Sequence, residues 1–446
     1  MAKQRLVILG GGESGVGSAV LAKVKGLDVF LTDSGQIKPD FKKTLEKFDI
    51  PYEECGHTQS AILNADEVVK SPGIPEDNPL VMLIKEKRIP IISEIEFAGR
   101  YDTAKKICIT GSNGKTTTTS LIYYMLKNAG LNVGLAGNIG KSYAYQVATE
   151  KFDYYVIELS SFQLDGMYRF KADIAILMNI TPDHLDRYEF KMQNYINAKF
   201  RITQNLTKKE CFVFCADDPI TAKELDKIVL TAKKLPFTQK KTVEQGAFID
   251  EDKLYVRYED DEYSMYMKEL ALPGKHNLYN QMAAAIAAKV VEIDNKVIRE
   301  SLMSFQGVEH RLEKVLTVKG VLYVNDSKAT NVDAAWYALD SMTTPVVWIA
   351  GGKDKGNDYS QLYELVKNKV RVLICMGLHN EKLHQCFADK VDKIIDVTSA
   401  KDAVAVAYKY AKPGDTVLLS PCCASFDLFK NYEDRGEQFK NAVKEL

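Results

Sequence analysis

The sequence predicts an α/β protein with parallel sheets, divided into three domains. Short apolar runs alternate with helical patterns along the whole chain, the texture of strand–helix–strand units whose sheets are covered on both faces. Glycine-rich turns follow two of those runs in different parts of the chain, and open α/β sheets bind ligands at such strand ends. At 446 residues the chain is also longer than one hydrophobic core usually supports.

Taken in order, residues 6–9 and 29–31 read as the first strands, and residues 106–110 as a strand running into a glycine-rich loop. A helical pattern follows from Leu121 to Ala129 and stops at Gly130. Further strands are expected at residues 154–157, 174–180, 346–350, 372–376 and 417–419. Between Phe248 and Met267 the pattern changes to period two, broken by the acidic turns Asp250-Glu251-Asp252 and Glu259-Asp260-Asp261-Glu262. That texture predicts a small β-hairpin inserted into the middle domain. Motif order sets the domains at residues 1–94, 95–306 and 307–446.

The 59 basic and 60 acidic side chains nearly cancel, so no electrostatic footprint for nucleic acid is present. The first apolar run is too short for a signal sequence, and no window approaches bilayer length. The eight cysteines include no CxxC pair and fit free thiols in a reducing compartment. A cytoplasmic protein without membrane or nucleic-acid partners is expected.

Two glycine-rich turns carry the chemistry. Gly10-x-Gly12-x-x-Gly15 follows the first strand, with Asp33 at the end of the second. Alone this suggests a Rossmann-type dinucleotide site, and a nicotinamide-dependent dehydrogenase or purely structural glycines are the competing readings. Gly111-Ser112-Asn113-Gly114-Lys115-Thr116-Thr117 opens the helix after residues 106–110. Its glycines let backbone N–H groups face an anion, the helix N-terminus adds partial positive charge, Lys115 reaches the β- and γ-phosphates, and Thr116 can hold magnesium. ATP is the ligand this chemistry suits. The loop is shorter than a full Walker A, since Ile109-Thr110 stands where a further glycine belongs. A plain turn with an exposed lysine is the competing reading. Glu158 ends an apolar strand, where carboxylates often hold Mg²⁺, and His184 in the loop after residues 174–180 is either a second ligand or a structural histidine.

With Gly137-Asn138-Ile139-Gly140, Glu158-Leu159-Ser160-Ser161-Phe162-Gln163, Asn179-Ile180-Thr181-Pro182-Asp183-His184, Ala198-Lys199-Phe200-Arg201, Gly274-Lys275-His276-Asn277, Glu309-His310-Arg311 and Asp326-Ser327-Lys328-Ala329-Thr330-Asn331 in order, the sequence resembles the Mur ligase family over nearly its whole length. The last of these blocks, together with Ser420-Pro421-Cys422-Cys423-Ala424-Ser425-Phe426, looks most like the members that use D-glutamate. The resemblance implies a Rossmann-like N-terminal domain, a central P-loop ATPase-like domain and a Rossmann-like C-terminal domain.

It also implies a reaction and its residues. The L-alanyl carboxylate of UDP-N-acetylmuramoyl-L-alanine attacks the γ-phosphate of ATP, and D-glutamate displaces phosphate from the acyl-phosphate, a step in cytoplasmic peptidoglycan precursor synthesis. Gly12, Ser14, Gly15, Asp33, Ser71, Gly73, Asn138, Gln163 and His184 would meet the UDP substrate. Gly111, Ser112, Asn113, Gly114, Lys115, Thr116, Thr117, Asn277, Asn280, Arg311 and Asp326 would meet ATP. Thr330, Lys355, Ser425 and Phe426 would meet D-glutamate, with Lys353 a neighbouring alternative to Lys355 and Tyr432 standing where phenylalanine is expected. Lys115, Glu158, His184, Lys199 and Arg311 would be catalytic. Thr116, Glu158, His184 and a carbamylated Lys199 would serve two Mg²⁺ ions; the competing reading of Lys199 is a solvated helix lysine. Asn138 and Gln163 have loop or capping polarity, and Arg311 a surface salt bridge, as their plain alternatives. A monomer that closes its domains on small-molecule substrates is expected. Another step of the same pathway, folylpolyglutamate synthase and a P-loop nucleotide switch are the alternatives.

Overall fold

The computed structural model describes residues 3–446. Contact density divides the chain into two compact units. The first runs to Ala271 and includes Asn277–Phe305; the second comprises Leu272–His276 and Gln306–Leu446. Three sheets, two in the first unit and one in the second, give the α/β architecture expected from the alternating apolar runs.

The first sheet holds five parallel strands in the spatial order Tyr52–Glu53, Asp28–Thr32, Arg5–Leu9, Glu67–Lys70 and Ile91–Ile92. Strand order reverses at Arg5–Leu9, so a crevice opens outside the carboxyl ends of that strand and Glu67–Lys70. Its helix Glu13–Val24 packs against helix Tyr143–Thr149 of the neighbouring sheet, and the two layers share one apolar core.

The nine-stranded second sheet centres on Lys105–Thr110, flanked by Tyr154–Glu158 and Ile174–Leu177. Three differences from the sequence expectation appear here. The middle helix begins at Lys115, six residues before Leu121: Thr116, Thr117, Thr118 and Thr119 are all buried in its first turns, Thr118 against Met178 and Asn280, so polar side chains stand where the sequence pattern looks for apolar ones. The strand expected to reach Ile180 ends at Leu177, where the chain turns so that the Asn179 carbonyl accepts from Ser112 N–H at 2.9 Å. The expected hairpin is a three-stranded meander, Gly246–Asp250, Lys253–Tyr258 and Asp261–Tyr266, that extends the main sheet through parallel pairing to Lys233–Thr238. Glu251 and Glu259 take left-handed φ of 52° and 53° at its two reversals, while Leu254 and Val256 bury alternate positions.

The third sheet runs Glu313–Val318, Val321–Asn325, Thr416–Cys422, Val346–Gly351, Val370–Met376 and Lys393–Val397, parallel except for its first strand. Apolar clusters cover both faces. Trp348, fully buried on the central strand, donates its indole N–H to the Ser420 carbonyl at 2.8 Å. No helix among the described residues is long and apolar enough to cross a membrane.

Candidate functional site

The crevice of the first sheet is a cleft of ≈ 320 Å³ lined by Gly12, Ser14, Asp33, Ser71 and Gly73, with His57 and Asn78 beside them. Gly15 is not in the lining; a Cβ there would stand 1.8 Å from the Gly10 carbonyl oxygen, so only glycine lets the helix approach the strand. Gly12 caps helix Glu13–Val24 without a side-chain acceptor, and the helix N-terminus is left to favour an anion. Asp33 holds the loop in shape: its carboxylate accepts from Gly11 N–H at 2.6 Å and Gly35 N–H at 2.7 Å. The Ser71 hydroxyl is buried without a hydrogen-bond partner among the described residues. Sequence reading missed His57, whose Nδ1 lies 2.7 Å from the Thr32 hydroxyl; no motif marks it.

The second glycine-rich loop stands at the carboxyl ends of the neighbouring strands Lys105–Thr110, Tyr154–Glu158 and Ile174–Leu177. Gly114 caps helix Lys115–Asn128 with φ 85°, and a Cβ there would meet Asn280 Oδ1 at 2.4 Å. Asn280 and Asn277 come from the buried helix Lys275–Val290, where Asn280 donates to Asn277 Oδ1 at 3.3 Å. The loop is clamped from the other side as well. Asn113 N–H donates to Asn179 Oδ1 at 2.9 Å, and the Ser112 hydroxyl donates to the Thr181 carbonyl at 2.8 Å. Asn179 is a contact that sequence reading quoted within a motif without giving it a role. Lys115 Nζ donates to the Gly111 and Ser112 carbonyls, each at 2.8 Å, which keeps its ammonium over the loop. Thr116 and Thr117 are buried at the first turn.

Glu158 is 1% exposed. One carboxylate oxygen accepts from Asn138 Nδ2 at 2.8 Å, and the other is buried with no partner among the described residues. A buried carboxylate oxygen left open is a strong acceptor in want of a cation. Asn138 thus aims Glu158. Gln163 reciprocates with Ser160 in a capping box, its carbonyl oxygen taking the Ser160 N–H at 2.9 Å, so any ligand contact from Gln163 falls to its amide nitrogen. His184 has left-handed φ of 53° and lies against Phe162, rings 5.2 Å apart, with Asp183 3.6 Å from its Nε2.

Lys199 is the most unusual charge here. Helix Met192–Phe200 buries it to 2% exposure, which excludes a solvated lysine. Its Nζ donates to the Gly111 carbonyl at 2.8 Å and reaches the Thr110 hydroxyl at 3.3 Å. Burial, reinforced by the nearby Lys115 ammonium, holds its amine well below the usual lysine range despite Asp183 and Glu158. Among these residues Thr116 and Glu158 bring the hard oxygen donors that magnesium takes, whereas His184 offers a ring nitrogen and Lys199 an amine.

In the second unit, Asp326 follows strand Val321–Asn325 and is fully enclosed. Burial pushes its carboxyl up to about 7, against the pull of Arg311 and a 2.8 Å hydrogen bond from the Ser420 hydroxyl. Arg311 Nε is buried without a partner among the described residues, unlike a surface salt bridge. Ser425 is buried, Lys353 and Lys355 are exposed, and Phe426 is 68% exposed at the loop tip. Thr330 precedes Asn331, which caps helix Val332–Ser341 through Ala334 N–H at 2.8 Å. Behind them Arg435, 1% exposed, donates to the Ser327 hydroxyl and carbonyl at 3.0 and 2.8 Å and to the Cys423 carbonyl at 3.2 Å. It ties the Asp326-to-Asn331 block to the 420–426 loop. Tyr432 presents its carbonyl to the Ser327 hydroxyl at 2.8 Å, a contact that any side chain at that position allows.

Family profiles match three stretches of the chain: the MurD N-terminal domain at residues 5–79, the Mur ligase middle domain at 109–288, and the Mur ligase glutamate ligase domain at 310–423. The UDP-N-acetylmuramoylalanine–D-glutamate ligase of Bacteroides fragilis is 61% identical over 444 residues, 99% of this chain and 100% of the relative. The enzyme of the same name from Bacteroides thetaiotaomicron is 60% identical over the same shares. Among solved structures, a UDP-N-acetylmuramate-alanine ligase from Thermotoga maritima is alike in fold, with a TM-score of 0.62 at 19% identity over 99% of both chains. A pseudomurein peptide ligase type C from Methanothermus fervidus gives a TM-score of 0.62 at 21% identity, again over 99% of both.

Proposed function

The chain belongs to the Mur ligase family, and on that premise we propose that it adds D-glutamate to UDP-N-acetylmuramoyl-L-alanine with release of ADP and phosphate. Full-length identity of 61% to a relative bearing that substrate in its name supports the choice of amino acid. The observation that carries the chemistry is the open, buried Glu158 oxygen beside a phosphate loop whose neighbouring Lys199 is itself buried and hydrogen-bonded to the Gly111 carbonyl, its amine held well below the usual lysine range.

In this reading the ≈ 320 Å³ cleft takes the UDP diphosphate on the N-terminus of helix Glu13–Val24. The N–H groups of residues 111–117 receive the phosphates of ATP, and Lys115 neutralises charge on the transferring phosphoryl oxygens. The substrate carboxylate oxygen bonds to the γ-phosphorus as the bond to the bridging oxygen breaks and ADP leaves. D-glutamate's amine then bonds to the acyl carbon, phosphate departs with the acyl–oxygen electrons, and the amine loses a proton. Ser425, Thr330 and Lys355 of the second unit offer hydroxyls and a cation to the amino acid's carboxylates. Magnesium, when bound, neutralises phosphate charge and polarises the transferring group, and Thr116, Glu158, His184 and Lys199 would hold it, as two ions.

Lys199 serves there as a carbamate. Its neutral amine attacks CO₂ and releases one proton, turning a side chain that would repel a metal when protonated into an anionic oxygen ligand; the depressed lysine range and the buried setting support this. The deciding experiment is ADP release across UDP-muramoyl acceptors and amino acids. Turnover that needs both UDP-N-acetylmuramoyl-L-alanine and D-glutamate is expected. Preference for L-glutamate, L-lysine or meso-diaminopimelate would overturn the assignment, and nucleotide hydrolysis without acceptors would favour a switch.

A further inference from the structure

We propose that the second unit carries a site for a borderline divalent ion of the zinc class, built by Cys375, His384 and Asp396 and separate from the ligase chemistry. Cys375 on Val370–Met376 and Asp396 on Lys393–Val397 are register partners in adjacent parallel strands, so their side chains share one face of the sheet. His384 comes down on that face from helix Glu381–Phe387. Sulfur, ring nitrogen and carboxylate oxygen all lie within 4.8 Å of one another. His384 Nε2 is 3.0 and 3.1 Å from the two Asp396 oxygens. Donors around a tetrahedral zinc ion, bonded at about 2.0–2.3 Å, stand roughly 3.3–3.7 Å apart, so small side-chain shifts close the set.

The surroundings favour an ion over a plain His–Asp pair. Asn380 donates to Asp396 Oδ1 at 2.9 Å, the kind of outer hydrogen bond that aims a ligating carboxylate. The His384 and Asp396 side chains are 40% and 55% exposed, so an ion enters from solvent while the fully buried Cys375 closes the site from below. Breaking so exposed a pair costs little. Thiolate with imidazole selects zinc-class ions over magnesium; the thiol proton passes to solvent as sulfur coordinates, and water takes the fourth position. The other cluster of ligand type, Glu309, His310 and Glu437, lacks this opening, because the Lys440 ammonium already pairs with Glu309, Glu313 and Glu437.

The test uses full-length chain stripped with chelator and titrated with Zn²⁺ or Co²⁺ in saturating Mg²⁺. One zinc equivalent should raise the melting temperature beyond the effect of Mg²⁺, and Co²⁺ should give a thiolate-to-cobalt charge-transfer band. His384→Ala and Asp396→Asn, both on the exposed side, should each weaken binding by more than about tenfold without loss of ligase turnover. Cys375→Ser should abolish the band; because Cys375 is buried, the two exposed variants decide the matter if that one misfolds. Absence of the band in the parent chain, or unchanged affinity in both exposed variants, would overturn the proposal.

Discussion

Glu94 is a carboxyl group enclosed where helix Glu94–Gly99 meets the N-terminus of helix Tyr143–Thr149. Its Oε1 accepts from the Ser142 hydroxyl and from Ala144 N–H at 3.0 Å. Burial, aided by the nearby Glu13 carboxylate and opposed by those hydrogen bonds, pushes it up to about 7 from 4.5. A group raised in the folded state binds more protons there than in the unfolded chain between those two values, so its contribution is full below pH 4.5 and is lost as pH rises through 7. The gap of about 2.5 pH units, at 1.36 kcal/mol each, amounts to about 3 kcal/mol. Glu94→Gln keeps an oxygen for both donors and carries no charge for Glu13 to repel. Urea unfolding of parent and variant across that range should therefore give similar stabilities at the acid end and a variant more stable by about 3 kcal/mol near pH 8. Taking the difference between the two proteins cancels the other titrating groups, Asp326 included. A flat difference across the range, or a variant less stable at pH 8, would refute the assignment of a buried Glu94 that ionises at a cost as pH rises through 7.

Lys115→Ala should abolish ATP turnover with an unchanged melting curve, since it removes the cation over the loop but no core contact; ADP release and calorimetry check both halves. Lys199→Ala should be nearly inactive and partly restored by acetate or formate, while bicarbonate depletion should slow the parent enzyme. Because the Lys199 amine is held below its ordinary range, the unfolded chain binds the extra proton, and the stability of the parent relative to this variant should rise with pH up to about 10.5. Arg435→Met should destabilise the second unit by about 2–4 kcal/mol, through stranded Ser327 and Cys423 carbonyls, and raise KM for D-glutamate more than for ATP.

The glycine loops were legible because their geometry is local. Gly10, Gly111 and Gly114 take positive φ that few other residues adopt, Gly15 leaves room for its helix to approach the Gly10 carbonyl, and each loop stands after an apolar run. Strand cores were legible for the same reason, whereas the strand end at Leu177 and the helix start at Lys115 were not, since they depend on the distant partners that the Asn179 carbonyl and the buried threonines meet. The site residues divide along the same line. Glu158 and Lys115 sit where the strand and loop put them, but Glu94 and Arg435 look in the sequence like ordinary surface charges, and only distant partners make them interior. Lys199 stands between these cases. It lies four residues after Tyr195 and three before Ile202, both buried, so helical spacing alone places its stem on the apolar face. A lysine in that stripe either reaches out to water or has its ammonium disfavoured by burial. Here the phosphate loop closes over its tip, and the 2.8 Å bond to the Gly111 carbonyl shows that it does not reach out.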